Sequence, residues 1–450
     1  MIIDTAKIST LLEAPFDEGE AAEALERAGD AKGLPLAGAA CLLKAEDPGL
    51  LERLFERAAE VKEKVFGSRV VLFAPLYLSN HCTNGCLYCG FRSQNKGMDR
   101  TALTPAEAAE EAKALEGMGF KRVLLVTGED PRYGLAYITA CVRAVYEGAG
   151  MRIVHVNAPP MDTDGLRELK ASGVGVYQSF QETYHRPSYE RMHPTGRKKD
   201  YDYRLGVMDR AIEAGFDDVG IGPLFGLYDH RFEALATIAH SAHLFERFGA
   251  HAHTISIPRL RPASAGLADV PCPVTDTELK KITAVFRLSV PCAGVVVSTR
   301  ESAQLRSELL RTGASQISAA SRTNPGGYSH EGSKTLEQFS TNDTRPLAEV
   351  IASVALDGLL PSLCTTCYRV GRVGHTFTEK TTAGEMKTIC QANAVLTLKE
   401  YLCDHSGNGT SGAVRKAVEN GIESVADPAL KRSLLEKLKE IEEGKRDLYF

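Results

Sequence analysis

The chain has 450 residues, 43% apolar and 25% charged, with a formal net charge of −5. That length holds two or three domains or one large barrel with additions, and the slight acidity offers no basic surface for nucleic acid. No apolar run reaches bilayer length, and the opening MIIDTAKISTLLEAPFDEGE lacks a basic start followed by an apolar stretch, so neither a membrane span nor a secretory signal is expected and the predicted location is cytoplasmic.

Residues 1–68 read as an N-terminal helical extension rich in Ala, Glu and Leu, as in EAAEALERAGDAKG and DPGLLERLFERAAEVKEKVFG. From 69 to 320 the pattern alternates. Strand-like apolar runs lie at 70–78, 122–127, 153–157, 175–180, 219–222, 253–257, 294–298 and 315–318. Amphipathic helical stretches separate them. One of these, PAEAAEEAKALEGMG, opens with Thr104 as N-cap, Pro105 at the first helical position and Glu107 completing a capping box. Strands and helices alternating in this number over about 250 residues predict an α/β fold, a (β/α)8 TIM-type barrel. A doubly wound open sheet is the competing arrangement.

The polar motifs favour the barrel, because they fall just after the strands. NHCTNGCLYCGFR follows the first, TGED (127–130) the second and QETYHRP (181–187) the fourth. HTIS (253–256) sits on the sixth, STRE (298–301) ends the seventh and SRTNPGGY (321–328) follows the eighth. In a barrel these loops share one mouth, where active sites are built. Residues 321–450 form the last part. NPGGYSHEGSKTLEQFSTNDTRP reads as a loop or linker, and a mainly helical C-terminal domain follows, with SLCTTCYRVGRVG embedded in it.

Of eleven cysteines, Cys41, Cys141, Cys272, Cys292 and Cys403 are scattered and read as small buried apolar residues. The other six fall into two groups, which points to metal rather than disulfides in a reducing compartment. Cys82, Cys86 and Cys89 offer three thiolates where structural zinc wants four, and His81 is badly placed to be the fourth. An iron–sulfur cube accepts three ligands and keeps one iron open. Cys364, Cys367 and Cys390 repeat that logic as C-x2-C-x22-C, with zinc completed by His375 as the alternative.

The C-x3-C-x2-C spacing with Tyr88 before its last cysteine resembles the signature of the radical S-adenosylmethionine (SAM) enzymes. That resemblance implies a 4Fe–4S cluster whose open iron chelates SAM, and an electron that cleaves the sulfonium to a 5′-deoxyadenosyl radical. TGED resembles the family's Gly-Gly-Glu segment, which holds the SAM amino group. Thr127 replaces the first glycine, leaving Gly128, Glu129 and Asp130 to carry over. Arg204 is a candidate for the SAM carboxylate, or a solvated helix arginine. GIGPLFGL (220–227) resembles the segment that lies against the adenine.

With the second cysteine group, the narrower resemblance is to the tyrosine lyases that mature the FeFe-hydrogenase active site (HydG). APLYLSN, QETYHRPSYERMHP, DYDYRL, HTISIPRLRPA, VVVSTRE and KRDLYF carry it nearly end to end. A relative, the 2-iminoacetate synthase of thiamine biosynthesis, lacks the second group.

The resemblance implies hydrogen abstraction from the amino group of L-tyrosine, Cα–Cβ cleavage to p-cresol and dehydroglycine, and formation of carbon monoxide and cyanide at an auxiliary 4Fe–4S cluster. That cluster would carry an additional iron attached through free cysteine. A closed path between the two sites would limit the escape of diffusible products, and a soft open iron suits both ligands. The implied partners are an electron donor such as ferredoxin or flavodoxin and other hydrogenase maturation proteins.

His253 matches the ligand of the additional iron, with His251 as fallback and an ordinary strand histidine as the alternative. Arg300 is the candidate for the tyrosine carboxylate, assisted by Ser298 and Thr299, against a salt bridge to Glu301 or a helix cap. Glu182, Tyr184 and His185 are expected in the substrate cavity, and Tyr88 beside the cofactor. Arg369 and Arg372 flank the second group, to attract cyanide or to pair with carboxylates; Arg322 receives no role. Two other functions remain open: a lyase that stops at dehydroglycine and feeds thiazole synthesis, and a non-catalytic metal carrier.

Overall fold

The computed structural model describes residues 2–329, 337–405 and 411–450. Eight parallel strands succeed one another around its sheet: β1 (Arg69–Ser79), β2 (Arg122–Thr127), β3 (Ile153–Asn157), β4 (Val174–Gln178), β5 (Asp218–Ile221), β6 (Thr254–Ser256), β7 (Gly294–Val297) and β8 (Gln316–Ser318). The long β1 pairs with β2 from Ala74↔Val123 onward and with β8 from Val71↔Gln316 onward, so the sheet closes into a barrel. Closure excludes the open doubly wound sheet. Helices wrap the outside, and the expected capping box is present: Thr104 Oγ1 accepts from the Glu107 amide at 3.2 Å while Glu107 Oε2 accepts from the Thr104 amide at 2.6 Å.

Four helices precede the barrel: Thr5–Glu13, Glu18–Ala28, Leu36–Lys44 and Pro48–Phe66. The first, third and fourth pack on the barrel's own helices His230–Phe248 and Asp276–Ser289, and the second rests on the third and fourth. Lys62 stitches the last of them down, its buried ammonium donating to the Leu310 carbonyl at 2.6 Å.

The C-terminal part holds a strand that the sequence reading had not anticipated. β9 (Leu360–Ser362) pairs in parallel with Arg69–Val71, below the level at which β2 begins to pair with β1. Its three residues are too few to show a period. Pro361 at their centre is tolerated because β9 pairs only with β1 among the described residues. The strand roots the second cysteine group at the N-terminal end of the barrel, opposite the mouth that holds the first. Of the polar stretch 324–346, residues 330–336 lie outside the described residues. Gln338 is no free linker: its carbonyl accepts from the Gly90 amide and its amide donates to the Thr323 carbonyl, both at 3.0 Å. No helix is long and apolar enough to cross a membrane, among the described residues.

Strand side chains alternate between the two faces, and barrels of this kind normally fill their inward positions with branched apolar residues. Here His155, Asn157, Gln178, Thr254, Ser256 and Gln316 line the interior, around a cavity of about 240 Å³.

Candidate active site

The loop after β1 brings Cys82, Cys86 and Cys89 to the wall of that cavity. Hydrogen bonds to the loop after β2 hold it there. The Thr83 amide donates to the Glu129 carbonyl at 2.8 Å, and Asn84 Nδ2 to Glu129 Oε2 at 2.7 Å. Asn84 Oδ1 also accepts from the Lys198 amide at 2.9 Å, so this residue, which the sequence marks only as a turn former, ties three loops together. Gly128 is required where it stands, because a Cβ there would lie 2.2 Å from the His81 carbonyl oxygen.

Burial pushes the Cys86 thiol up to about 12 and the Cys89 thiol to about 11. Such sulfurs become thiolates beside a strongly positive metal centre and not in water alone, so the donor set fits an iron–sulfur cluster. Gln338 Nε2 lies 3.7 Å from Cys89 Sγ while its Oε1 accepts from the Tyr77 hydroxyl at 2.8 Å. Nothing local in the sequence announces Gln338, which is 249 positions from Cys89.

Arg204 is buried, not solvated. One of its terminal nitrogens donates to Ser179 Oγ at 2.9 Å and to the Phe180 carbonyl at 3.0 Å, the other lies 3.9 Å from Glu129, and Nε is buried without a partner. Glu182 lines the same wall from a left-handed backbone (φ +70°), its carboxylate 2.6 Å from Lys198. Lys198 belongs to the site although the sequence reading passed over it. Tyr88 presents its ring to the cavity, with its hydroxyl 2.7 Å from His193 Nε2.

His185 and Tyr184 do not reach the cavity that was expected to hold them. Beyond Glu182 the chain turns outward, because buried Glu233 accepts from the Tyr184 amide at 2.8 Å and from the Thr183 hydroxyl. His185 stacks on Tyr228 with ring centroids 3.6 Å apart, and the buried Tyr184 bonds His240 Nδ1 at 3.0 Å.

Ser298, Thr299 and Arg300 line another wall of the cavity. Glu301 does not neutralise Arg300, because Arg259 and, at 2.7 Å, Arg261 already hold it. The Arg300 guanidinium carbon lies 3.3 Å from the centre of the Phe339 ring, and burial lowers its pKa to about 10. No carboxylate stands within ion-pair distance of it among the described residues. A purely structural buried arginine looks different. Arg287 donates to the carbonyls of Gly313, Pro291 and Ala293 and to Ser315.

At the other end of the barrel, Cys364, Cys367, Cys390 and His253 line a smaller cavity of about 40 Å³. His253 and Thr254 alternate, so the histidine faces this cavity while the threonine faces the larger one. Tyr368 Oη lies 3.0 Å from His253 Nε2, and Asp218, which accepts from the Gly374 amide, lies 3.2 Å from Nδ1. A hydrogen bond from Cys367, with help from Arg69 and Arg372, holds the Cys390 thiol below its ordinary value. The same hydrogen bond raises the Cys367 thiol, so one proton is shared between the two sulfurs and a metal centre would displace it. His375, the possible fourth zinc ligand, is exposed and lies 3.4 Å from Glu379. His251 stacks on Phe245, away from the cysteines. Arg369 pairs with Asp447 at 2.6 Å and Arg372 donates to the Phe450 carbonyl, so both clamp the closing segment of the chain over this site. Arg122, Gln316 and Tyr368 belong to the walls of both cavities.

The radical SAM superfamily model matches residues 76–239, and the biotin and thiamin synthesis associated domain matches 256–360. The 2-iminoacetate synthase of Escherichia coli (strain K12) is 36% identical over 346 residues, which is 76% of this chain and 90% of that protein. A crystal structure of HydG, described as a maturase of the FeFe-hydrogenase, superposes with a TM-score of 0.96 at 42% identity over 100% of both chains. The chain belongs to the radical SAM family that holds HydG and 2-iminoacetate synthase. HydG from Carboxydothermus hydrogenoformans adds a TM-score of 0.85 at 36% identity, covering 96% of this chain and 97% of that one. Membership brings a 4Fe–4S cluster and SAM as cofactors, and makes the protein an enzyme.

Proposed function

We propose that this radical SAM enzyme cleaves L-tyrosine to p-cresol and dehydroglycine in the larger cavity. It then forms carbon monoxide and cyanide from the glycine fragment at the second cysteine site, for assembly of the FeFe-hydrogenase active site. One observation carries this reading: two three-cysteine sites at opposite ends of one barrel share Arg122, Gln316 and Tyr368 as walls.

Cys82, Cys86 and Cys89 would hold the SAM-binding cluster, with Gly128, Glu129, Arg204 and Tyr88 around SAM. When bound, that group supplies the electron that opens the SAM sulfonium and so drives hydrogen abstraction from the tyrosine amino group. Arg300 grips the tyrosine carboxylate through its paired N–H donors, and Ser298 and Thr299 add hydrogen bonds. Phe339 and Gln338 cover the mouth and keep water from a reactive intermediate. The Glu182–Lys198 pair adds no net charge to its wall.

Cys364, Cys367 and Cys390 would hold the auxiliary cluster, a soft acceptor for both diatomic products. His253, held at Nε2 by Tyr368 and with Nδ1 buried without a hydrogen-bond partner, is the ligand for the additional iron, which together with free cysteine is cargo. The division into a helical extension (1–68), a barrel (69–320) and an auxiliary-cluster part (321–450) follows the same logic. A ferredoxin- or flavodoxin-type donor and other hydrogenase maturation proteins complete the reading.

The relatedness to 2-iminoacetate synthase supports a second reading, a lyase that stops at dehydroglycine. Anaerobically reconstituted protein with SAM, L-tyrosine, reductant, iron and cysteine is expected to release p-cresol and also carbon monoxide, trapped by haem. Replacing Cys364→Ala and Cys367→Ala should keep p-cresol and abolish carbon monoxide. Loss of both products in a folded variant with its first cluster intact would refute the division of labour.

A further inference from the structure

The inner end of the larger cavity carries polar groups that the reaction at its mouth does not use. His155 projects inward from β3, only 5% exposed, and neither of its ring nitrogens has a hydrogen-bond partner. Thr254 Oγ1, from β6, is buried and unpartnered in the same way. Arg122 stands on β2 opposite Ile153, one inward position below the Leu124↔His155 pair. One of its terminal nitrogens donates to the Cys364 carbonyl at 2.7 Å, while its Nε is buried without a partner. No carboxylate lies within ion-pair distance of Arg122 among the described residues. The Tyr368 ring closes this end, 4.8 Å from the His155 ring and 5.2 Å from the Arg122 guanidinium carbon.

Buried polar atoms without partners are costly, and several facing one cavity mark a place where something binds. Burial, with Arg122 and His253 nearby, lowers the His155 pKa well below its ordinary value, so the ring is neutral and offers one donor and one acceptor. Among the described residues the carboxylates on the cavity wall are Glu129 and Glu182, which belong to its cysteine end, where Asn84 and Lys198 hold them. The inner end therefore carries the Arg122 cation and unpartnered donors and acceptors on His155 and Thr254.

We propose that Arg122, His155 and Thr254 form a waystation for a two-carbon α-imino carboxylate: Arg122 takes its carboxylate, and His155 and Thr254 its imine nitrogen, before it passes Tyr368 to the second cysteine site. This subsite rests on the two-site reading above. It holds the fragment away from water, which would otherwise convert the imine and one water to glyoxylate and ammonia.

The test is the fate of that fragment in reconstituted holoenzyme, following p-cresol, carbon monoxide and free glyoxylate together. His155→Leu and Thr254→Val remove groups that hydrogen-bond nothing in the protein, so thermal stability should hold or rise and the iron content of both sites should be unchanged. Expected are unchanged p-cresol, about tenfold less carbon monoxide per p-cresol, and a matching rise in glyoxylate. His155→Gln, which keeps a donor and an acceptor, should restore much of the carbon monoxide. A wild-type partition in His155→Leu overturns the waystation. Wild-type enzyme that releases only p-cresol and glyoxylate instead overturns the two-site reading beneath it.

Discussion

Arg300→Met isolates the claim that a half-buried, unneutralised cation awaits the substrate carboxylate. Its pKa, lowered to about 10 by burial, corresponds to about 3 kcal/mol spent in keeping the guanidinium charged. Stacking on Phe339 returns about 1 kcal/mol of that. For a cation whose folded pKa lies below the unfolded one, the penalty is present at every pH below about 10, so it applies in full at neutral pH. The methionine variant should therefore be more stable than wild type by about 2 kcal/mol without substrate. Binding moves the other way. Losing two charge-assisted hydrogen bonds at about 1.5–3 kcal/mol each raises KM for tyrosine by about 10²–10⁴-fold. p-Cresol kinetics at saturating SAM, paired with melting curves with and without tyrosine, read both effects. A KM within a few-fold of wild type, or an equal tyrosine-induced rise in Tm in both proteins, would refute the assignment.

Glu233 supplies a pH prediction. Burial raises its pKa to about 7, so its contribution to stability is full below the ordinary carboxylate range and is lost as pH rises through about 7. Glu233→Gln should flatten that part of the Tm-against-pH curve between pH about 4.5 and 7; an unchanged slope would show that the carboxylate does not titrate there. Gln338→Leu removes an amide donor from Cys89 Sγ and should shift the first cluster's reduction potential downward in an anaerobic redox titration followed by electron paramagnetic resonance, with iron content unchanged. An unmoved potential would reduce Gln338 to a latch on Tyr77.

The residues that the sequence exposed share one property: their chemistry is local. Cysteines three and four apart declare a loop that wraps metal, and Thr104 with Glu107 declares a helix start, because in each case the partners are neighbours in the chain. Residues brought in by the tertiary fold were hidden for the opposite reason. Gln338 meets Cys89 across 249 positions, and Tyr368 meets His253 across 115. His185 shows the converse failure, since a promising motif position was turned out of the cavity by a carboxylate on a distant helix.

One signal lay between these extremes. In IVHVN, TIS and QIS the period of two sets polar residues at alternate places in strands that are otherwise Val and Ile. Alternation alone would ordinarily suggest a solvent-facing side, but in a closed parallel barrel the helices cover the outside, so the polar face can only point inward. Unpartnered polar groups there cost about 1–3 kcal/mol each, a penalty that branched apolar side chains would remove while filling the space. A barrel that keeps them is built to hold a polar molecule and not as a packed core. The strand pattern and the closure alone require this, independently of either cysteine group.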